Sequence, residues 1–316
     1  MSLVVRLVVS ALMLAVLVAK VPSFDLGEMI PSWSVATAAW LAAAALLTLA
    51  GIVLSALRWQ KVLDALEVPT HLPRLMSHYM AGQFVSNVLP TTIGGDVLRV
   101  SRLSRDTGES PATFASVVLE RLTGWLVLPV ITIVGFAVNP GLRHLGSATR
   151  VALLLAGATL ALLVGVLMAA GSTRLGGRFA AGVGWRRFLG AVHLGIDRLR
   201  NHPAAAANVL AAGFAYQLAL VLAAVAAAQA LGLRPAGLTA LLAFFPAVLI
   251  AQVLPISMSG LGVREGAFVL FLGPLGVAHE EAIALGLLLY VLNLAVSLLG
   301  APAFAAGGRR AAPAVA

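Results

Sequence analysis

Arginines, carboxylates and glycines occur together in two stretches that are otherwise apolar. Residues 82–99 (GQFVSNVLPTTIGGDVLR) carry Gly94, Gly95, Asp96 and Arg99, and residues 251–268 (AQVLPISMSGLGVREGAF) carry Gly260, Arg264 and Glu265. Arginine suits phosphate because its planar guanidinium donates two parallel hydrogen bonds. Glycine-rich turns let backbone N–H groups approach an anion, and a helix that begins after such a turn adds its positive end. Each stretch is therefore predicted to supply half of a site that binds a lipid phosphate.

Two adjacent charged residues, Glu120 and Arg121, lie inside a third apolar stretch. Ionisable groups at membrane depth are costly, so they are treated as functional candidates. We expect this pair to interact with the charged residues of the two glycine-containing stretches. Arg264 and Glu265 are neighbours in sequence, and their side chains are expected to point in different directions on a helix.

The same charges allow two other interpretations. They could form a static network that holds the helices together, or Glu120 or Glu265 could relay a proton. Asn87 and Gln83, near the first glycine-containing turn, could hydrogen-bond a headgroup or satisfy freed backbone groups. The six histidines have no spacing typical of metal ligands, so no metal site and no cofactor are predicted.

The composition is that of a protein that crosses a membrane several times. Of the 316 residues, 60% are hydrophobic and only 10% are charged, whereas soluble domains are about 25% charged. Cysteine is absent, which excludes thiol catalysis and cysteine-ligated metals. The net charge of +9 arises in the gaps between apolar runs, where basic residues set topology. An ordinary soluble enzyme is excluded, and no binding of nucleic acid is expected.

Seven apolar runs approach or exceed the roughly 20 residues of a membrane span. They cover residues 3–21, 35–57, 111–138, 151–170, 203–233, 238–263 and 282–308. The first is interpreted as a retained span, because no small-residue cleavage site follows it. Arg58 and Trp59 end the second run, where they are expected to anchor it at the interface. Residues 82–99 and 251–268 are too broken by Pro and Gly for spans and too apolar for loops, which predicts broken or re-entrant helices.

The two broken stretches align with each other. Gly and Arg follow Pro90 at distances of five and nine residues, and they follow Pro255 at the same distances. Three apolar runs separate the stretches, which places them on opposite sides of the membrane as in an inverted repeat. The alternative is that two unrelated helix ends share similar Pro and Gly positions by convergence. The predicted fold is an all-α polytopic helical bundle, a single transmembrane domain over residues 1–316, with repeats at about 1–138 and 151–308.

The basic gaps predict the orientation of the chain. Residues 58–105 and 171–202 are rich in arginine and are expected on the cytoplasmic side. The N- and C-termini are then both cytoplasmic. The expected location is the bacterial plasma (inner) membrane.

Four motifs resemble a known family. They are Arg58-Trp59, LPTTIGGDVLR, Glu120-Arg121-Leu122 and SGLGVREGAF, and together they are similar to the lysylphosphatidylglycerol synthase transmembrane-domain family. This family is also called flippase-like and includes the membrane half of multiple peptide resistance proteins. The resemblance covers about residues 5–305 and implies a domain that moves an aminoacylated phospholipid between leaflets. A separate soluble domain makes that lipid in bifunctional members, and we expect none in this chain.

The leading hypothesis is a lipid translocase without enzymatic activity. Two inverted broken helices would form a central polar cavity in which Arg99 and Arg264 hold the phosphate of an anionic or phosphate-bearing headgroup. The partner is a membrane phospholipid or a lipid-linked substrate. One alternative is a membrane-embedded enzyme that uses Asp96 or Glu265 as a base. The other is a subunit that recruits a separate lipid-modifying enzyme.

Overall fold

The described residues are mostly helical, with turns and short loops between the helices. The computed structural model describes residues 3–19, 33–88, 94–108, 110–171, 185–253, 257 and 259–309. Across these residues the regular elements are α-helices and short 3₁₀-helices, without β-strands. The all-α prediction is confirmed.

The helices of the described residues are numbered α1 to α12 in chain order. They are α1 (Leu3–Ala19), α2 (Val35–Ala65), α3 (Leu72–Val88), α4 (Gly94–Thr107), α5 (Ser110–Val138), α6 (Ser147–Gly171), α7 (Trp185–Asn201), α8 (Pro203–Ala230), α9 (Leu238–Gln252), α10 (Val263–Leu272), α11 (His279–Leu298) and α12 (Ala301–Arg309). The 3₁₀-helices Pro140–His144 and Gly273–Leu275 follow α5 and α10.

Five of these helices, α2, α5, α6, α8 and α11, are long and apolar enough to cross a membrane. The multi-pass membrane prediction is therefore confirmed. Two of the predicted runs are not single helices. The run 238–263 breaks after Gln252, because Ser259, Gly260 and Gly262 have positive φ angles that a right-handed helix excludes. The run 282–308 breaks between Leu298 and Ala301.

In each predicted broken stretch one described helix ends and another begins. In the first, α3 ends at Val88 and α4 begins at Gly94; in the second, α9 ends at Gln252 and α10 begins at Val263. The helices of each pair pack against each other. Residues 89–93, 254–256 and 258, with the Leu-Pro part of the repeat, lie outside the described residues. Re-entry into the membrane and the inverted repeat therefore stay predictions.

Two compact units divide the chain. Unit 1 contains residues 1–50, 128–159 and 217–296, and unit 2 contains residues 51–127, 160–216 and 297–316. All five of the long helices, α2, α5, α6, α8 and α11, contribute residues to both units. The predicted division into repeats at 1–138 and 151–308 stays a prediction.

Aromatic packing dominates the core of unit 1. Phe244 on α9 stacks on Phe271 of α10 at 5.5 Å between ring centroids and meets Phe136 of α5 edge-on at 5.4 Å. A second stacked pair, Phe245 and Phe268, joins α9 to α10 at 5.9 Å. Such pairs add about 0.5–1.5 kcal/mol each beyond burial of their area, so they fix α10 firmly against α9.

The core of unit 2 forms around Trp59, which is fully buried. Its indole Nε1 donates a hydrogen bond to Ser116 Oγ of α5 at 2.8 Å. The predicted role of Arg58 and Trp59 as an interface anchor is therefore wrong. Helix α2 continues past them to Ala65, which places both side chains inside the protein.

Candidate functional site

A buried ion-pair cluster lies in unit 2, where α2, α4 and α5 contribute charged side chains. Its members, called the unit 2 cluster below, are Arg58, Asp96, Arg99, Glu120 and Arg121. Glu120 is only 1% exposed and is the centre of the cluster. Its Oε1 accepts hydrogen bonds from Arg58 Nη2 and, at 3.0 Å, from Ser55 Oγ. Its Oε2 accepts one from Arg99 Nη1 at 3.3 Å.

Asp96 extends the cluster toward the protein surface. It lies three residues before Arg99 on α4 and accepts a hydrogen bond from Arg99 Nη1 at 3.3 Å. Its two carboxylate oxygens also accept two hydrogen bonds from Arg121, each of 3.0 Å. The side chain of Arg121 is 48% exposed, so the cluster runs from a buried centre to an open edge. The predicted pairing of Glu120 and Arg121 with residues of the first stretch is confirmed.

Aromatic rings enclose the buried guanidinium groups of the cluster. Arg99 lies over the rings of Trp59 at 4.2 Å and Tyr79 at 4.4 Å. Arg58 lies over the ring of Tyr216 at 4.7 Å. Contacts of this kind stabilise a cation by about 0.5–2 kcal/mol. They hold the two arginines in place without neutralising their charge.

The unit 2 cluster has more positive than negative charge. Three guanidinium groups face two carboxylates, which leaves a net charge of +1. Within the described residues, Nε and Nη1 of Arg58 and Nε and Nη2 of Arg99 are buried and have no hydrogen-bond partner. Buried donors without partners are costly. The arrangement therefore favours an additional anion that would accept from them.

Arg58 is the site residue that the sequence analysis missed. The second apolar run was predicted to end at residue 57, and a cation at the end of a span is usually a topology signal. The structure instead places Arg58 inside α2, with 3% of its surface exposed. Only a partner carboxylate on another helix reveals this role, and no local pattern identifies that partner.

The polar and glycine residues of the first stretch differ in their roles. Gly94 begins α4, and Gly95 packs so closely on α3 that a Cβ would collide with Ser86 Oγ and the backbone of α3. Neither glycine has a positive φ angle, so they permit helix packing and do not form a left-handed turn for an anion. Gln83 is partly buried on α3. Asn87 Nδ2 is buried and has no partner within the described residues.

The charged residues of the second stretch form a separate pair in unit 1. Arg264 donates two hydrogen bonds to Glu265 Oε1, from Nη2 at 2.7 Å and from Nε at 3.1 Å. Both residues are buried. The expectation that adjacent side chains would point apart is wrong. Both lie in the first turn of α10, where Glu265 bends back toward the helix N-terminus and Arg264 folds over it.

The turn before α10 contains two glycines with left-handed backbone conformations. Gly260 and Gly262 have φ angles of 77° and 85°, which favour glycine. However, the N–H of Gly262 already donates to Glu265 Oε2 at 2.6 Å. A helix N-terminus of this kind can hold an anion, and here the carboxylate of Glu265 occupies that position. Tyr290 of α11 faces Arg264 at 5.3 Å.

The carboxylates of both sites serve as partners of arginines. Across the described residues, no three His, Cys, Asp or Glu side chains come together so as to hold a metal ion. Asp96, Glu120 and Glu265 each accept hydrogen bonds from at least one guanidinium group. The absence of a metal and a cofactor stays a prediction. So do the roles of Arg99, Arg264 and the three glycines as ligands of a phosphate.

Comparison with known proteins identifies the family. No curated protein matches the chain. Residues 3–300 match the family model described as the lysylphosphatidylglycerol synthase TM region. The match covers nearly the whole chain, and five helices among the described residues are long and apolar enough to span a membrane. The chain is therefore an integral membrane protein that belongs to the family of the lysylphosphatidylglycerol synthase TM region.

Proposed function

We propose that the protein is a lipid translocase, which moves an anionic or phosphate-bearing headgroup from one leaflet to the other. The observation that carries this proposal is the net positive charge of the unit 2 cluster. Arg58 and Arg99 keep buried N–H groups without partners in the described residues. A phosphate accepts such bonds strongly, since bonds to a charged acceptor are about twice as strong as neutral ones.

The open edge of the cluster supports entry of a headgroup. Arg121 is half-exposed and would meet a phosphate first, while Arg99 lies deeper and is 3% exposed. Both arginines share Asp96 as a partner. A phosphate that approaches Arg121 competes with Asp96 for the N–H groups of these arginines, and the guanidinium groups need not leave their positions. The acyl chains stay in the bilayer, so only the polar group has to be sheltered.

We infer transport in preference to catalysis. A membrane-embedded enzyme would need a carboxylate base. The candidates are Asp96 in the unit 2 cluster and Glu265 in the separate pair of unit 1. The oxygens of both carboxylates already accept hydrogen bonds within the protein, so neither is positioned to take a proton from a substrate. The expected location in the bacterial inner membrane, with cytoplasmic termini, belongs to the same proposal and is supported by the basic gaps. A separate enzyme that makes or uses the lipid is the partner this function implies.

The experiment is a leaflet-exposure assay in proteoliposomes that contain fluorescent phosphatidylglycerol. We expect the parent chain to expose inner-leaflet label to a membrane-impermeant quencher. Arg99→Gln should slow this exposure by about tenfold or more, because one charge-assisted hydrogen bond is worth about 1.5–3 kcal/mol. Arg99→Lys keeps the charge and should retain more activity.

The matched control is Lys61→Gln, which removes a positive charge from an exposed pair with Asp64 on α2. It should leave the rate unchanged. A fluorescent glycolipid without phosphate should not move. Equal rates for the parent, Arg99→Gln and protein-free vesicles would contradict the proposal, provided that all variants elute as one species and unfold at similar temperatures.

A further inference from the structure

A second group of positive charges surrounds a cavity in unit 2, at the ends of α3, α4 and α12. The cavity has a volume of about 390 Å³, within the range of pockets that bind small ligands. Its charged and titratable lining residues are Arg74, His78, Arg102, Arg105 and Asp106. None of them belongs to the unit 2 cluster that carries the proposed function.

The charges around this cavity are not balanced. Three arginines face one carboxylate, Asp106, which leaves a net charge of +2 with His78 neutral. Asp106 Oδ2 already contacts His78 Nε2 at 2.8 Å and Arg74 Nε at 3.7 Å. Burial and the nearby guanidinium of Arg105 lower the pKa of Arg102. Like charges held together in this way are stabilised by an anion.

Arg102 is fixed in position at the cavity. Its Nη1 donates to the backbone oxygen of Ala303 at 2.9 Å, and its Nη2 donates to that of Phe304 at 2.8 Å. The guanidinium also lies 5.8 Å from the ring centre of Phe304. An arginine that only signals topology needs no such attachment. A fixed guanidinium loses less entropy when a ligand binds.

His78 adds a polar group that has no explanation within the fold. The residue is 9% exposed, and its Nδ1 is buried without a hydrogen-bond partner in the described residues. Its Nε2 is engaged with Asp106. The histidine lines the same cavity as the three arginines. Because Nε2 donates to the carboxylate of Asp106, the neutral ring presents Nδ1 as an acceptor, whose partner would be a hydroxyl group of the bound ligand.

A neighbouring cavity does not have this excess of positive charge. It has a volume of about 680 Å³ and shares Arg74 and Asp106 with the smaller cavity. Its other charged lining residues, Arg198 and Glu67, form an ion pair at 2.6 Å. The charges around this larger cavity therefore balance, and of these two cavities in the described part of the chain the smaller one has the excess of positive charge.

We propose that the smaller cavity is a second anion site, which binds a phosphate group through Arg74, Arg102 and Arg105. The phosphate belongs either to the headgroup of an anionic lipid at the membrane surface or to a free phosphate. The site is separate from the proposed translocation route, so its occupancy is measured by binding and needs no transport.

The test measures binding to the full purified chain with two probes. Inorganic phosphate is titrated in detergent by calorimetry, and the chain is captured on vesicles of phosphatidylglycerol or of phosphatidylcholine alone. We expect Arg105→Gln to weaken binding by about tenfold, as for one charge-assisted hydrogen bond. The double variant Arg74→Gln/Arg105→Gln should weaken it further. Arg102 is left unchanged because it also holds α12.

The control is Arg234→Gln, which removes one exposed charge outside the cavity and should bind like the parent. If inorganic phosphate binds to the parent chain and Arg105→Gln weakens that binding, the cavity is a site for free phosphate. Binding only to phosphatidylglycerol vesicles, weakened in the same way, identifies a lipid headgroup. The proposal is overturned if neither probe binds, or if Arg105→Gln and Arg234→Gln reduce binding equally.

Discussion

Arg99 and Arg264 follow proline and glycine at the same spacings, yet they lie in opposite electrostatic settings. Arg99 shares its carboxylate partners, Asp96 and Glu120, with two other arginines. Arg264 has its own partner in the next residue, Glu265. The first setting leaves a net positive charge, and the second leaves none. Equal spacing in sequence therefore does not give the same electrostatic environment.

The difference arises from where the partner carboxylate of each arginine lies in the sequence. Glu120 comes from α5, far in sequence from Arg58 and Arg99, and is held between them by the packing of helices. Glu265 is held by local geometry, because it caps α10 through the N–H of Gly262. A local cap forms together with its helix. An inter-helix cluster forms only after the tertiary fold is complete.

The largest expected effect is the loss of stability in Glu120→Gln. This change leaves two buried arginines without their shared countercharge, and breaking a buried pair costs about 3–5 kcal/mol. Glu265→Gln should cost less, because one arginine is affected and the amide oxygen can still accept from Gly262. Thermal unfolding in detergent measures both variants.

Glu67→Gln is the control for this comparison. Glu67 forms an exposed ion pair with Arg198, and such pairs contribute about 0–1 kcal/mol. If Glu265→Gln destabilised the protein more than Glu120→Gln, the inter-helix cluster would not depend more on its carboxylate for stability than the local pair does.

The second effect concerns the glycines that precede the two arginines. Gly95→Ala should cost about 1–3 kcal/mol, because its Cβ would overlap the backbone of α3 at Gly82. Gly260→Ala should cost less, about 1–2 kcal/mol, from a φ angle of 77°. Its added Cβ would approach Gln252 Cβ at 2.8 Å, a milder overlap than that of Gly95 with the backbone oxygen of Gly82.

Gly165→Ala on α6 provides the control for the glycine variants, since a Cβ there meets open space. It should stabilise the helix slightly. A Gly95→Ala variant as stable as Gly165→Ala would show that α4 does not depend on close packing against α3.

The smallest effect compares the aromatic partners of the two arginines. Trp59→Phe loses the hydrogen bond to Ser116 and weakens the contact with Arg99, at an expected cost of about 1–2 kcal/mol. Tyr290→Leu removes one ring at 5.3 Å from Arg264 and should cost less, about 0.5–1 kcal/mol. Tyr290→Phe keeps the ring and should be nearly neutral. Chemical unfolding curves rank the three, and the reverse order for Trp59 and Tyr290 would contradict the comparison.

The sequence predicts the helical class and much of the unit 2 cluster, because apolar length and isolated buried charges are strong signals. Asp96 and Arg99 are three residues apart and therefore lie on one helical face. Glu120 and Arg121 lie in an apolar stretch, so each was expected to pair with an oppositely charged residue of another apolar stretch. Arg58 could not be found in this way, since a cation near the end of an apolar run has a common topological explanation. The pairing of Arg264 with Glu265 also escaped, because helical periodicity does not describe a side chain that bends back to cap its own helix.

The most direct test of the central claim compares Arg99→Gln with the double variant Arg264→Gln/Glu265→Gln. Both are assayed for leaflet exposure of fluorescent phosphatidylglycerol in proteoliposomes. The double variant removes no net charge and keeps an acceptor for Gly262, so it should retain most of the parent rate. Arg99→Gln should slow the exposure by about tenfold or more. A parent-like rate for Arg99→Gln beside an inactive double variant would contradict the claim that the unit 2 cluster holds the phosphate.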